Sequence, residues 1–145
     1  FKTSKIKLKA IDFTKSFYFK NKFDVIFDRG SLTCNRHSDI KKIIKLIDKS
    51  LKKNGLFVGI DWFSRNREVK FLGKKLDKYS VMSFSDKGKL AGTGIITFYK
   101  KKEIFELFKK YSFNYFELTT TEKILQRKKK NFKEIGLFSF VVKKN

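Results

Sequence analysis

The apolar residues of this chain fall into short runs of two periods, and the order of the runs predicts its elements. Ile6, Leu8 and Ala10, separated by lysines and followed by Phe13, have the spacing of a half-buried strand ending near Asp12. Residues 13–22 read as a loop or short helix. Residues 23–28 (FDVIFD) carry a continuous apolar centre, Val25-Ile26-Phe27, which predicts a strand covered on both faces. Residues 29–37 form a loop containing Gly30 and Asn35.

From about 39 to 53, Ile40, Ile43, Ile44, Ile47 and Leu51 share one helical face, with lysines opposite. Ser38 stands where an N-cap is needed, and Asn54-Gly55 supplies the left-handed turn that ends a helix. Residues 56–60 (LFVGI) read as another buried strand, closed by Asp61. Strand, helix and strand with short connections make a βαβ unit, with parallel strands and a right-handed crossover. Residues 62–94 are polar, glycine-spotted and without period. They predict an excursion over the end of the sheet, long enough for a lid or substrate loop. A short strand follows at 95–98. Residues 101–111 put Ile104, Phe105, Leu107, Phe108 and Tyr111 on one helical face. Two late strands, 113–121 and 136–143, flank a basic loop that includes Arg127-Lys128-Lys129-Lys130 and form a closing antiparallel hairpin. The chain is α/β, in one domain spanning residues 1–145.

Composition narrows this in three ways. With 145 residues, 41% of them hydrophobic, the chain can bury one core. No apolar run reaches the length of a membrane span, and the opening FKTSKIKLKA lacks the apolar centre of a signal peptide. The lone Cys34 has no internal disulfide partner, which fits a cytoplasmic setting. The start at Phe1 rather than methionine suggests a fragment. The formal charge of +22 admits an RNA or acidic partner. However, the positive charge is nearly all lysine, with arginine only at 29, 36, 65, 67 and 127, and base or phosphate recognition favours the arginine fork. Abundant Lys, Phe, Ile and Asn with no Pro also follow from A/T-rich codons. A solvated lysine surface is therefore preferred to a nucleic-acid surface.

The candidate chemistry is positional. Asp12, Asp28 and Asp61 each close an apolar run, and ligands of open parallel sheets bind beyond the carboxyl ends of the strands. Three carboxylates converging on one crevice would receive an amino group, an ammonium or a cation; each alone also serves as a turn former. No carboxylate spacing specifies a metal, so none is assigned. The only histidine, His37, reads as an exposed or capping residue, and Cys34 as inert. Trp62 stands equally well as a platform for a substrate ring or as a cover for the end of the core.

The passages IKLKAIDF, NKFDVIFDRGSLT, SLKKNGLFVGIDWFS and GIITFYKKKEIFELFKKYSF, in this order, resemble the carboxy-terminal two-thirds of class I S-adenosylmethionine-dependent methyltransferases. The resemblance covers nearly the whole chain. It implies a Rossmann-like, mostly parallel sheet with helices on both faces and a C-terminal antiparallel hairpin. S-adenosyl-L-methionine would be the cofactor. Asp12 would accept from the adenine amino group, with the Phe13 backbone and the Phe17 ring beside the base. Asp28, Arg29 and Gly30 would lie along the methionine portion, and Asp61, as a general base, and Trp62 would face the acceptor. DRGSLT and DWFS look most like a small-molecule subgroup, and the Asn/Asp-Pro-Pro-Tyr motif of base-amino methyltransferases is missing. Lys53-Asn54 replaces the usual Pro-Gly turn. The family's glycine loop after its first strand, and the acidic residue after its second, have no counterpart here. In the family sheet those two strands lie between the two that open this chain. Residues 1–12 are therefore expected to be poorly anchored, and the 145 residues inactive by themselves.

Overall fold

A computed structural model of the chain describes residues 7–15, 19–65, 73–83, 92–120, 122–125, 130–133 and 136–145. Its centre is the expected βαβ unit. β1 (Phe23–Arg29) leads through a 3-10 turn (Leu32–Cys34) into α1 (His37–Ser50), which returns to β2 (Leu51–Phe63), and β1 and β2 are parallel. α1 buries Ile40, Ile43, Ile44 and Ile47, the face set out by its spacing. It starts at His37, with Arg36 at the N-cap and no side-chain cap bond, so Ser38 is not the cap. It also ends earlier than its apolar pattern, because its last carbonyls are claimed from outside. Asn21 and Lys22 donate their N–H groups to Lys49 and Ser50, and Lys144 Nζ donates to the carbonyls of Asp48 and Leu51. Leu51 thus opens β2, and Asn54, at φ 63°, makes its left-handed turn inside an irregularity of the β1–β2 pairing.

The remaining elements are β3 (Gly73–Lys75), β4 (Ser80–Ser83), β5 (Gly94–Thr97), α2 (Lys101–Leu107), β6 (Tyr111–Thr119), β7 (Glu122–Leu125), β8 (Lys130–Lys133) and β9 (Leu137–Lys144). The main sheet has the order β1-β2-β9-β6. β9 is antiparallel to both neighbours, so β1, β2 and β6 run one way and β9 alone runs back. This is the mostly parallel, Rossmann-like α/β sheet with a late antiparallel return. Residues 62–94 contain more order than their composition shows, since β3, β4 and β5 form a separate antiparallel sheet.

One core cluster joins α1, β2, α2 and β9. Phe57, Trp62, Phe108 and Phe140 pack together, with Phe57 stacked on Phe108 at 5.3 Å and Trp62 edge-on to Phe140 at 5.1 Å. Gly59 permits this packing, because a Cβ there would lie 2.6 Å from the Phe140 ring.

Two expectations about the first strands need correction. Residues 7–12 are exposed and outside any strand; an alternating segment with no neighbour has nothing to satisfy its backbone groups. Among the described residues β1 pairs only with β2, and only one of its faces is covered. Ile26 and Asp28 point to the core, while Val25 and Phe27 are 52% and 59% exposed on the other face. Phe17 lies outside the described residues.

Candidate functional site

The carboxyl ends of β1 and β2 lie side by side, with Asp28 opposite Gly59 and Arg29 opposite Ile60. Past this point the regular alternation of β2 breaks. Leu51, Gly55, Phe57 and Gly59 are buried, but the next buried residue is Trp62 rather than Asp61. The cause is the backbone of Asp61, which takes φ 58°, together with a register irregularity against β9 between Gly59 and Trp62. This bulge turns the Asp61 carboxylate outward and drives the indole in. Gly30, at φ 67°, makes the matching left-handed turn at the end of β1, and a Cβ there would touch the carbonyl of Asp61 at 3.4 Å. The two strand ends therefore meet through their main chains.

Two side-chain knots fix this junction. Asp28, 6% exposed, accepts from Ser31 Oγ and from the Leu32 N–H (3.2 Å) on one oxygen, and from Trp62 Nε1 (2.8 Å) on the other. The carboxylate is consumed by the fold: it seats the 3-10 turn and holds the indole. Outside it, Arg29 Nε donates to Asp61 Oδ2 at 2.9 Å, an exposed pair. The other Asp61 oxygen makes no hydrogen bond among the described residues.

The three aspartates have different surroundings. Asp12 closes its own turn, accepting from the Thr14 N–H (3.0 Å) and pairing with Lys15; the Thr14 hydrogen bonds hold its carboxyl below the usual range. Phe13 is half-buried and packs against the core. Asp28 faces inward, and Asp61 alone presents a carboxylate at the strand ends. Trp62 has no exposed surface, so it covers the core and is no substrate platform. Cys34 is exposed, and partial desolvation, with the Asp28 charge, pushes its thiol up and away from the reactive thiolate.

His37, read from sequence as exposed or capping, is half-buried. Its ring stacks on Tyr79 at 3.9 Å and its Nδ1 lies 3.0 Å from the Tyr99 hydroxyl, while its N–H donates to Ser80 Oγ. Burial, reinforced by Lys41, lowers its pKa. Tyr99 in turn packs on Trp62 at 5.8 Å. Nothing in the sequence could place Tyr79 and Tyr99 beside His37, because both come from the region without period or its edge. Among the described residues, no group of His, Cys, Asp and Glu is placed to hold a metal ion. No described helix is long and apolar enough to cross a membrane.

No family model and no curated protein matches the sequence. Solved structures do. A S-adenosylmethionine-dependent methyltransferase structure from Methanosarcina mazei superposes with a TM-score of 0.66 at 17% identity, over 94% of this chain and 66% of that one. A S-adenosylmethionine-dependent methyltransferase from Clostridium acetobutylicum gives 0.58 at 18% identity, over 97% and 65%. The 1,6-didemethyltoxoflavin-N1-methyltransferase of Burkholderia thailandensis, solved with its substrate and S-adenosylhomocysteine, gives 0.55 at 11% identity, over 91% and 48%. The fold is that of the class I S-adenosylmethionine-dependent methyltransferases. The chain spans less than two-thirds of the length of each of these structures.

Proposed function

We propose that the protein transfers a methyl group from S-adenosylmethionine to a small-molecule acceptor at the junction of β1 and β2. The observation that carries this reading is the double left-handed turn at Gly30 and Asp61. It brings two strand ends into main-chain contact and leaves one carboxylate facing out, at the place where ligands of such sheets bind.

The residues present fit one side of the cofactor. Asp12 offers an exposed carboxylate to an exocyclic amino group, with the Phe13 backbone next to it. The glycine turn at Gly30 allows close approach to the methionine portion, beside Arg29. Asp28 supports that turn from beneath, since its oxygens are already engaged. When bound, the cofactor supplies an electrophilic methyl on a sulfonium, which a nucleophile displaces in line. An acceptor that carries a proton on its nucleophilic atom would have to lose that proton. Asp61, oriented by Arg29, stands to take that proton through its free oxygen. An acceptor already nucleophilic needs alignment alone.

The test uses protein expressed from the complete reading frame. S-adenosylhomocysteine at about 100 times its Kd should stabilise it by about 2.7 kcal/mol against heat, whereas absence of any shift would overturn the reading. Asp61→Asn should leave that binding intact and lower kcat by about 10²- to 10⁴-fold. An unchanged kcat would remove Asp61 as the base and leave alignment. The 145 residues by themselves, without a glycine loop, should show no turnover.

A further inference from the structure

α1 and α2 do not close against each other. Between them, under Tyr79, runs a cleft of about 970 Å³ with Ile44 and Leu107 among its apolar lining. It is separate from the strand-end junction. Seven lysines and three carboxylates line it, and the carboxylates are already engaged. Asp48 accepts from the Tyr111 hydroxyl at 3.0 Å, Glu106 pairs with Lys109 at 2.8 Å, and Glu103 accepts from Arg65 and from the Lys100 N–H. By contrast, Lys41, Lys45, Lys49, Lys102 and Lys110 form no ion pair among the described residues. The cleft thus presents uncompensated positive charge in a concave, partly apolar setting, where low-dielectric walls focus the potential.

The arrangement is regular on one wall. Lys41, Lys45 and Lys49 recur every four residues and so form a row along α1, about 6 Å apart. From His37 to Lys49 the wall extends about 18 Å. Lys102 and Lys110 face it from α2 and the turn beyond. Such a ladder suits a linear chain of regularly spaced anions, not one compact anion. The aromatic groups argue for backbone recognition, because Tyr79 is already stacked on His37 and carries Lys78 and Arg65 over its ring. Tyr79 therefore offers the cleft no free platform on which to read bases.

We propose that the cleft between α1 and α2 is a binding groove for single-stranded nucleic acid, held through its phosphates by the lysine row of α1 and without base preference. The groove does not depend on the methyltransferase reading. Sequence composition alone favours a solvated surface; the difference is that the structure gathers unpaired lysines along one concave wall, where lysines outnumber carboxylates seven to three.

The experiment is fluorescence anisotropy of a labelled oligouridylate of about twelve nucleotides, titrated with this chain at a series of salt concentrations. Five phosphate contacts would weaken binding about 100-fold between 50 and 200 mM salt. The triple variant Lys41→Gln, Lys45→Gln, Lys49→Gln should flatten the log–log salt slope by about 2. A charge-matched control, Lys9→Gln, Lys20→Gln, Lys74→Gln, should change it by much less. Far-UV circular dichroism confirms that both variants fold, since all six side chains are exposed. An oligoadenylate should bind like the oligouridylate. Equal losses in both triple variants would reduce the effect to net charge and overturn the groove. Equal affinity for polyglutamate would overturn the nucleic-acid assignment, and salt-independent binding would overturn both.

Discussion

Replacing Trp62 by Phe tests whether the Asp28 knot holds the strand-end junction. The indole is fully buried, and its Nε1 gives Asp28 Oδ2 its hydrogen bond, at 2.8 Å. Phenylalanine keeps an aromatic ring in the core but removes the donor, leaving a carboxylate oxygen that is nearly inaccessible and unpaired. A hydrogen bond to a charged group is worth about 1.5–3 kcal/mol. The lost half of the indole leaves a void that adds about 1 kcal/mol. The expected loss, about 3 kcal/mol, is a large share of the about 5–15 kcal/mol that a domain has in total. Urea unfolding followed by far-UV circular dichroism measures it; this signal is needed because Trp62 is the only tryptophan. Asp28→Asn completes a double-mutant cycle. The amide can place only one oxygen, so it turns an N–H toward either Trp62 or the Ser31–Leu32 pair. The two substitutions should be non-additive by at least about 1 kcal/mol. Additive losses, or a Trp62→Phe loss below about 0.5 kcal/mol, would show that the contact does not fix the junction.

Three further outcomes follow from other contacts. Gly59→Ala places a Cβ 2.6 Å from the Phe140 ring; it should cost about 1–3 kcal/mol in thermal unfolding, and Phe140→Leu in the same chain should recover part of it. Glu103 joins Arg65 in an ion pair whose side chains are 11% and 20% exposed, and it also receives the N–H of Lys100, the N-cap of α2. Burial pushes its carboxyl up, but the Lys100 N–H and Arg65 outweigh that and hold it below the usual range. Glu103→Gln should therefore lose about 2–4 kcal/mol at neutral pH, and urea midpoints would show it. His37 is lowered from 6.5 by burial and by Lys41, so the unfolded chain takes up the proton first. Its contribution is complete above about pH 6.5 and is lost as pH falls toward the folded value. His37→Gln should flatten the stability–pH curve below pH 6.5 and leave it unchanged above.

Where packing is local and periodic, the sequence was sufficient. The α1 face, the buried run of β2 and the late strand β9 lie within a few residues of the places set by their apolar spacing. Three features were not legible, each for a physical reason. The strand expected at 6–12 rests on alternation, but alternation states only which side would be buried if a neighbour existed. β3 is a strand with all three residues exposed, held by backbone pairing to β4 and without an apolar signature. The roles of Asp61 and Trp62 depend on one left-handed residue that shifts the period of β2 by one, and no side-chain pattern announces it. At the strand ends named from the sequence, Asp28 and Trp62 therefore face inward and Asp61 faces out.

The proposed function requires that the β1–β2 junction receive S-adenosylmethionine. The direct measurement is an amide nitrogen–proton correlation spectrum of isotope-labelled protein from the complete reading frame, recorded with and without S-adenosylhomocysteine. Within these 145 residues, the expected result is a set of shifted amides at Asp12, Phe13, Asp28–Gly30 and Asp61 and their neighbours, with the lysine row of α1 unmoved. No shifts at saturating ligand, or shifts centred on the α1–α2 cleft instead, would contradict it.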